Sequence, residues 1–339
     1  MSIRYIGLDV SKDTIDVAYQ SGSHRQPLGQ ISNDLDGFAQ LPQLISQAQP
    51  SGQAVEHQLI LEPTGGYEKQ LLHYADQQGW PFSLVNPKQV REWAKGAGYR
   101  AKTDPVDAKM LAHFGAQQQP AVQALLPAEV QQLSYLLERQ QDLQKLLRQE
   151  GNRLEALAHQ PNVPQAVVDS LAQVIAGLEQ SLLDIQTAIT DLIEQQPELH
   201  AKRRRLLTVT GDGVRIVNNL LLFLYRWQAF SNGQGQAKGL TAFTGLDPQP
   251  YDSGRTVHKP ARISKMGDTT IRSQLYLGAL GGSRSQTSPL GQFYRSLVGR
   301  GKAKKVALVA AARKILVWSW AVFQSDTSFD PAKASPKVI

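Results

Sequence analysis

The chain has 339 residues, 41% of them hydrophobic, and a formal net charge of +7. That length accommodates two or three domains with real hydrophobic cores. Cysteine is absent, which excludes disulfides and cysteine-ligated metal sites and fits a reducing cytoplasm. We expect no signal peptide and no apolar stretch of membrane-spanning length.

The charges are distributed unevenly along the chain. Residues 201–339 contain 22 Lys and Arg against 6 Asp and Glu, whereas the first 200 residues contain 14 against 23. A basic half of this size favours binding to a polyanion, and nucleic acid is the expected partner. The alternative is a basic surface that only keeps the protein soluble.

The first 119 residues alternate between short apolar segments and amphipathic ones. They predict five strands, at residues 3–9, 14–20, 27–32, 55–62 and 81–86. Asn33 is the predicted N-cap of a helix after the third strand, and further helices follow the fourth and fifth strands. Three successive strands and then alternating helices and strands predict a mixed five-stranded sheet with helices on its faces.

Four acids stand where these elements end or begin. Asp9 ends the first strand, Glu62 ends the fourth, and Asp104 and Asp107 open a helix within the run Lys102-Thr103-Asp104-Pro105-Val106-Asp107. Parallel neighbouring strands bring their carboxyl ends to one sheet edge, so Asp9 and Glu62 are expected to meet there. Asp104 as N-cap and Asp107 one turn later share a helix face. Together these carboxylates could bind divalent cations and activate a phosphate.

Each acid also has a purely structural explanation. Asp104 and Asp107 match a capping box at the positive end of a helix dipole. Asp9 could be a hydrogen-bonded strand-end residue, and Glu62 an ordinary polar terminus. The metal site is favoured because all four acids occur in compatible places. Six basic residues near the last pair would suit a phosphate backbone: Lys88, Arg91, Lys95, Arg100, Lys102 and Lys109.

The middle of the chain, residues 120–200, predicts long helices. A first helical pattern begins at Pro127 and is broken by Pro161 and Pro164. In the second, apolar residues alternate by four and three, which is typical of a coiled-coil seam: Leu171, Ile175, Leu178, Leu182, Ile185, Ile189 and Leu192. A hairpin within one chain and a coil between two chains explain this seam about equally well.

The C-terminal part, residues 201–329, combines basic groups with one serine of interest. The cluster Lys202-Arg203-Arg204-Arg205 is either a phosphate contact or a charged helix end. Pro and Gly predict a loop over residues 244–254, with Ser253 near its far end and several basic residues after it. Taken alone, Ser253-Gly254 indicates only a turn. Residues 330–339 are expected to form a disordered tail.

Three segments together resemble the signature of the DEDD transposases, recombinases of insertion sequences whose relatives include the Piv DNA invertase. They are Ile6-Gly7-Leu8-Asp9-Val10-Ser11-Lys12, Leu61-Glu62-Pro63-Thr64-Gly65 and Lys102-Thr103-Asp104-Pro105-Val106-Asp107-Ala108. The stretch from Ser253 through Ile263-Ser264-Lys265-Met266-Gly267 to Arg272 resembles the second signature of that family.

The resemblance implies an architecture and a chemistry. The fold would be an α/β RNase H-like (RuvC-like) domain over residues 1–119, a coiled-coil linker over 120–200 and a mainly α transposase domain over 201–329. Asp9, Glu62, Asp104 and Asp107 would bind Mg²⁺, and Ser253 would attack DNA to form a phosphoserine link. The expected nucleic-acid contacts are Lys88, Arg91, Lys102, Arg203, Arg204, Arg255, Arg262, Lys265 and Arg272.

The resemblance also implies partners, namely DNA, a structured guide RNA and further copies of the chain, in the bacterial cytoplasm. Two other functions remain open from the sequence. In a RuvC-like nuclease, water would replace Ser253 as the nucleophile. In a nucleic-acid-binding module without activity, the site would have decayed, which the four intact acids argue against.

Overall fold

The computed structural model describes residues 3–21, 24–47, 56–99, 104–209, 211, 213–253 and 257–334. Contacts between Cα atoms divide the chain into two compact units. The first comprises Met1–Leu125 and Gln228–Gln234, and the second comprises Leu126–Trp227 and Gly235–Ile339.

The first unit is built on a five-stranded sheet. In chain order its elements are β1 (Arg4–Val10), β2 (Thr14–Ser21), β3 (His24–Ser32), α1 (Leu35–Phe38), α2 (Leu41–Gln47), β4 (His57–Leu61), α3 (Lys69–Gln77), β5 (Phe82–Leu84), α4 (Pro87–Gly96) and α5 (Asp104–Gln118). The strand order is β3-β2-β1-β4-β5. β1 to β3 form an antiparallel meander, while β4 runs parallel to both β1 and β5. The prediction of a mixed five-stranded sheet with helices is confirmed.

Alternation along the strands gives the sheet a core on each face. Ile6 and Leu8 of β1 pack on one face with Phe38 and Leu71 from the helices that follow β3 and β4. The other face carries a smaller cluster, in which Tyr5 of β1 and Ile60 of β4 pack with Leu111 and Phe114 of α5. Odd-numbered residues of β1 and even-numbered residues of β4 therefore face α5.

Helix α5 approaches the sheet closely because two glycines leave room for it. A Cβ built on Gly7 would lie 2.0 Å from the carbonyl oxygen of Ala108 and 2.5 Å from the nitrogen of Ala112. A Cβ built on Gly115 would lie 2.6 Å from Cγ1 of Ile60 and 2.9 Å from Cδ1 of Tyr5. These contacts fix α5 across β1 and β4.

The N-cap predicted at Asn33 lies one residue later. Asp34 has extended backbone angles, and its carboxylate accepts a hydrogen bond from the amide of Gly37. Asp34 Oδ1 also accepts from the hydroxyl of Ser32, and these two bonds lower the pKa of the carboxyl group. Both residue types are good caps. Asn33 is engaged elsewhere, with its side-chain amide bonded to backbone carbonyls of two other loops.

The second unit is mainly helical. Its elements are α6 (Ala128–Leu157), α7 (Gln165–Gln195), α8 (Pro197–Leu206), α9 (Val214–Phe230, whose last residues belong to the first unit), α10 (Ala237–Thr244), β6 (Pro248–Ser253), β7 (Val257–Ile263), α11 (Thr269–Gly282), α12 (Pro289–Gly299) and α13 (Lys304–Gln324). A single large core joins the base of the α6–α7 pair to α9, α10, α11 and α13. The expected helical middle and mainly helical C-terminal part are therefore found.

Helices α6 and α7 pack against each other within the chain. The predicted seam positions of α7 are partly buried, and Ile189 is fully buried. Val174 and Leu183, which lie off the seam, are 47% and 56% exposed. A contact between two chains is not needed to explain the seam.

The expectation that no apolar stretch reaches membrane-spanning length is wrong when length and composition are the only criteria. Both α7 and α13 are long and apolar enough to meet that test. For α13 a core position explains the composition, because ten of its residues are buried, among them Leu308, Ile315 and Trp320. In α7 the apolar seam faces α6.

The loop predicted over residues 244–254 is wrong for its second half. Residues Pro248–Ser253 form β6, which pairs antiparallel with β7. Pro250 cannot donate a backbone hydrogen bond, and the register shifts between Gln249 and Tyr251. A two-stranded hairpin tolerates Pro because each strand has a free edge. Residues 254–256 between the two strands lie outside the described part.

We expect Gly7→Ala to lower the free energy of unfolding by about 1–3 kcal/mol, because the added methyl group overlaps the backbone of α5. Urea unfolding of the full chain measures this. Gly96→Ala is the matched control, since a Cβ there meets nothing within 4 Å. An equal effect of the two changes would mean that α5 does not lie on Gly7.

Candidate active site

Strand register places the first two predicted acids side by side. The last register partners of the parallel β1–β4 pair are Leu8 and Leu61. One residue further along each strand come Asp9 and Glu62. By alternation both lie on the sheet face that carries α5, and both are partly exposed. This is the carboxyl-end position at which α/β sheets bind ligands.

The second pair of acids lies at the start of α5. The helix begins at Asp104, one residue before the predicted first position, which is within the usual uncertainty of helix ends. Asp107 is partly buried and precedes Ala108, whose carbonyl oxygen packs on Gly7. Gly7 is two residues from Asp9, so the close approach of α5 brings Asp107 towards the end of β1. The side chain of Asp104 lies outside the described part.

The four acids are of the residue types that bind divalent cations, but the described side chains do not form a complete metal site. Carboxylates are hard oxygen donors of the kind preferred by Mg²⁺ and Mn²⁺. Among the described side chains, no three His, Cys, Asp or Glu residues are close enough to hold a metal ion. These side chains include Asp9, Glu62 and Asp107, whereas the carboxylate of Asp104 lies outside the described part. The grounds for a metal site here are the strand register, which aligns Asp9 with Glu62, and the donor chemistry of the carboxylates.

Two polar side chains that the sequence analysis did not assign to the site, Asn33 and Glu68, hold the loops after Asp9 and Glu62. The Asn33 amide donates to the carbonyl oxygen of Ser11 at 2.8 Å and to that of Tyr67 at 3.1 Å. It thereby joins the loop after β1 to the turn after β4. Because Asn occurs at many loops and caps, no sequence signal distinguishes this role.

Glu68 fixes the turn that follows Glu62. Glu68 is 5% exposed, and its carboxylate accepts hydrogen bonds from the amides of Thr64 and Gly66, both at 3.0 Å, and from the Thr64 hydroxyl at 3.1 Å. A buried carboxylate with three donors makes charge-assisted bonds that hold the turn rigidly. In the sequence, only its position six residues after Glu62 connects Glu68 with the site.

The chain entering the Lys102–Asp107 run is anchored to α5. Tyr99 accepts a hydrogen bond from Arg25 through its hydroxyl, which also lies 3.0 Å from Nδ1 of His113 on α5. The His113 ring packs edge-on against Trp93 of α4. Burial raises the pKa of Tyr99 and lowers that of His113, so both are neutral near pH 7. Residues 100–103 lie outside the described part.

Ser253 is the last residue of β6, at the end of the hairpin next to its tip. Its side chain, and those of residues 250–252 and 257–261, are outside the described part. Hydrogen bonds hold the base of the hairpin. Gly245 ends α10 in a left-handed conformation with φ of 75°, and its carbonyl accepts from the Lys265 amide at 3.1 Å. Ser264 donates its hydroxyl to Asp247 and its amide to the Asp247 carbonyl, the latter at 3.0 Å.

Several predicted phosphate contacts have structural partners instead. In the Lys202–Arg205 cluster, Lys202 Nζ lies 4.5 and 4.2 Å from the ring centroids of Tyr225 and Phe323 and 2.8 Å from Glu198. Arg205 is 3.4 Å from Asp326, and Arg203 donates to Asn218 at 2.7 Å. Only Arg204 of this cluster is exposed.

The other predicted contacts divide in a similar way. Arg272 donates to the Thr244 carbonyl at 3.1 Å and to the Thr269 hydroxyl at 3.0 Å, which ties α11 to the end of α10. Lys88, Arg91, Arg262 and Lys265 are exposed. Lys102 and Arg255 lie outside the described part. Contact of all these residues with nucleic acid stays a prediction.

Comparison with known proteins identifies the family. A DEDD transposase model matches residues 6–161, and a model described as transposase of the IS116/IS110/IS902 family matches residues 203–295. The pilin gene-inverting proteins of Moraxella lacunata and Moraxella bovis are each 31% identical over 330 residues, which cover 97% of this chain and 98% of theirs. The chain belongs to the DEDD transposase family. It is therefore an enzyme of the transposase and DNA-recombinase type that acts on DNA, and the resemblance found in its sequence is confirmed.

Family membership gives the four acids a common interpretation. The first model spans all four, and the family suggests dependence on a divalent metal without identifying it. The second model spans Ser253 and the hairpin. The roles of the individual residues remain proposals.

We expect Glu68→Ala to loosen the turn after Glu62, because it leaves the partly buried amides of Thr64 and Gly66 without their acceptor. Such a loss costs about 1.5–3 kcal/mol when the acceptor is charged. Urea unfolding gives the stability, and hydrogen exchange of residues 62–68 gives the local effect.

Glu92→Ala is the control for this change. Glu92 is an exposed acid 3.9 Å from Lys88, and such pairs contribute little. Exchange in residues 62–68 that is as slow in Glu68→Ala as in Glu92→Ala would show that Glu68 does not fix the turn.

Proposed function

We propose that the protein is a Mg²⁺-dependent site-specific recombinase of an insertion sequence, which cuts and exchanges DNA strands through a phosphoserine intermediate. The observation that carries the proposal is the register of β1 and β4, which sets Asp9 beside Glu62 on the face where α5 brings Asp107. The proposal includes an RNase H-like fold for the N-terminal domain, with domain limits at residues 119, 200 and 329.

Asp9, Glu62, Asp104 and Asp107 would hold the cations in this proposal. Bound Mg²⁺ would withdraw charge from the scissile phosphate and so lower the barrier to attack. The four carboxylates repel one another, and the turn held by Glu68 and the bridge made by Asn33 keep them in place despite this repulsion. Rigid loops around a site reduce the reorganisation needed when substrate binds.

Ser253 would supply the nucleophile. Its Oγ forms a bond to phosphorus, the bond from phosphorus to a deoxyribose oxygen breaks, and the serine proton ends on that oxygen. One phosphodiester replaces another, so rejoining to a new strand requires no external energy source. A serine hydroxyl needs activation. Asp252 and His258 lie nearby in the sequence, but they do not stand at a spacing from Ser253 that is typical of an activating His–Asp pair. The acidic quartet is the proposed source of that activation.

The proposal extends to the partners. Relatives named as pilin gene-inverting proteins rearrange a gene, which supports a DNA substrate containing specific ends. We further propose a structured guide RNA, a homo-oligomer assembled on DNA through the α6–α7 pair, and action at the bacterial nucleoid in the cytoplasm. The exposed apolar residues Val174 and Leu183 of α7 support self-association.

Asp9→Asn and Asp107→Asn are each expected to abolish strand cleavage and to leave DNA affinity nearly unchanged, because the amide is a poor cation ligand of the same size. Cleavage of labelled element DNA in Mg²⁺ and binding in EDTA give the two readouts. Asp76→Asn, which changes an exposed acid of α3, is the control. If Asp107→Asn cleaves normally and loses only about 0.5–2 kcal/mol of stability, the capping explanation is correct.

Ser253→Ala is expected to remove both cleavage and a covalent protein–DNA adduct, which mass spectrometry of trapped wild-type protein should map to Ser253. Ser273→Ala, an exposed serine on α11, should keep both. Cleavage at a normal rate by Ser253→Ala would identify water as the nucleophile and the protein as a RuvC-like nuclease.

A further inference from the structure

The second unit contains a basic segment in which Arg272 alone belongs to the proposed nucleic-acid contacts. From Thr269 to Ser325, which covers α11, α12 and α13, the sequence has nine Lys and Arg and no Asp or Glu. Three consecutive helices without a carboxylate cannot neutralise their own cations. Such an excess indicates either a partner with negative charge or contacts to neutral groups.

Some of these cations have neutral partners. Arg272 binds the end of α10, and the Arg295 guanidinium donates to the backbone carbonyls of Ser285 and Gln286. Lys314 Nζ lies 5.4 Å from the ring centroid of Phe293. These three residues hold the helices together.

The cations at the junction of α12 and α13 differ from these. Arg300, Lys302, Lys304 and Lys305 fall within six residues and are all exposed. The side chain of Arg300 donates one hydrogen bond, from Nε to the Ser296 carbonyl at 3.3 Å. Its two terminal nitrogens remain available to a ligand. Within the described residues, the side-chain ammonium groups of Lys302, Lys304 and Lys305 have no hydrogen-bond or ion-pair partner.

The same junction is the positive end of α13. Ala303 occupies the N-cap position and provides no side-chain acceptor to the first turn. The first amides of a helix and its dipole add positive potential at that end. They reinforce a surface whose charge comes from the four side chains.

We propose that this junction surface, Arg300 to Lys305, binds the phosphate backbone of duplex DNA. The inference rests on the proposed function for its choice of DNA as partner. The stretch Gly299 to Val306 has no aromatic residue, so it offers no platform on which unpaired bases stack. Lysine acts on phosphate as a point charge, whereas base reading uses planar groups. The surface therefore adds affinity and positions the duplex without reading its sequence.

The test is the salt dependence of DNA binding by full-length protein in which Lys302, Lys304 and Lys305 are all changed to Gln. Gln keeps helix propensity close to that of Lys. Anisotropy of a labelled duplex of unrelated sequence, measured in EDTA over a KCl series, reports affinity without cleavage. With about 0.9 lost per phosphate contact, the slope of log affinity against log salt should become shallower by about 2.7. At low salt the affinity should fall by at least roughly tenfold.

The control removes the same charge from α6 of the same unit. Arg139, Lys145 and Arg148 are exposed, and their change to Gln should leave the slope at the wild-type value. An unchanged slope in the Lys302/Lys304/Lys305 variant overturns the proposal, as does an equal change in the control. A loss of affinity for a folded RNA hairpin with none for duplex DNA overturns it as well.

The outcomes separate this surface from the proposed function. If the wild-type protein binds and cleaves DNA and the variant binds with the same slope, only the junction surface is wrong. If the wild-type protein does not bind duplex DNA at any salt concentration, both proposals fail together.

Discussion

The candidate site depends on how closely α5 lies on β1. Gly7 is the residue that permits it, since any side chain there would meet the backbone of Ala108 and Ala112. Gly115 does the same near the other end of the helix, against Tyr5 and Ile60. A helix on a sheet ordinarily stands off by the depth of interdigitating side chains. At Gly7 the backbone of α5 instead contacts β1 directly. The position of β1 therefore determines the position of the first turn of α5, and with it that of Asp107.

The loops that follow β1 and β4 are held in place by hydrogen bonds with polar side chains. Carboxylates at neighbouring strand ends repel one another, and the turns that carry them are the least supported part of a sheet edge. Asn33 bridges the two turns, and Glu68 binds three donors of the turn after β4. A negative charge held by amides within the turn costs little, because its hydrogen bonds are satisfied there. The protein thus uses one buried acid to order the backbone around a partly exposed one.

The sequence was sufficient for features whose signal is local or periodic. Apolar runs predicted the five strands of the first unit and a mixed sheet, and the family segments identified the acids at the strand ends. The cap at Asp34 was misplaced by one residue because Asn33 and Asp34 have similar intrinsic preference and only the contact with Tyr67 separates them. Strand β6 was missed because Pro248 and Pro250 oppose strands by propensity, while pairing with β7 satisfies the backbone groups that remain. The approach at Gly7 depends on contacts between β1 and α5, which are far apart in the sequence, so no local pattern contains it. Glu68 binds Thr64 and Gly66 of its own turn, but an acid at that spacing is not a distinctive signal.

Charge in the second unit shows the same difference between composition and structure. Lys202 to Arg205 is the densest basic cluster in the sequence, yet the Lys202 ammonium lies between two aromatic rings and an acid. Burial, and secondly the charge of Glu198, raise the pKa of Tyr225, which lies beside Lys202. The Tyr225 hydroxyl therefore stays neutral and donates a hydrogen bond to Glu198. A cation in such a cage stabilises the helix packing and is not available to phosphate. The lysines at the α12–α13 junction are exposed, and exposed cations that reach phosphates displace the counterions condensed on the DNA. In this unit it is therefore exposure, and not density along the chain, that distinguishes the cations proposed to bind DNA.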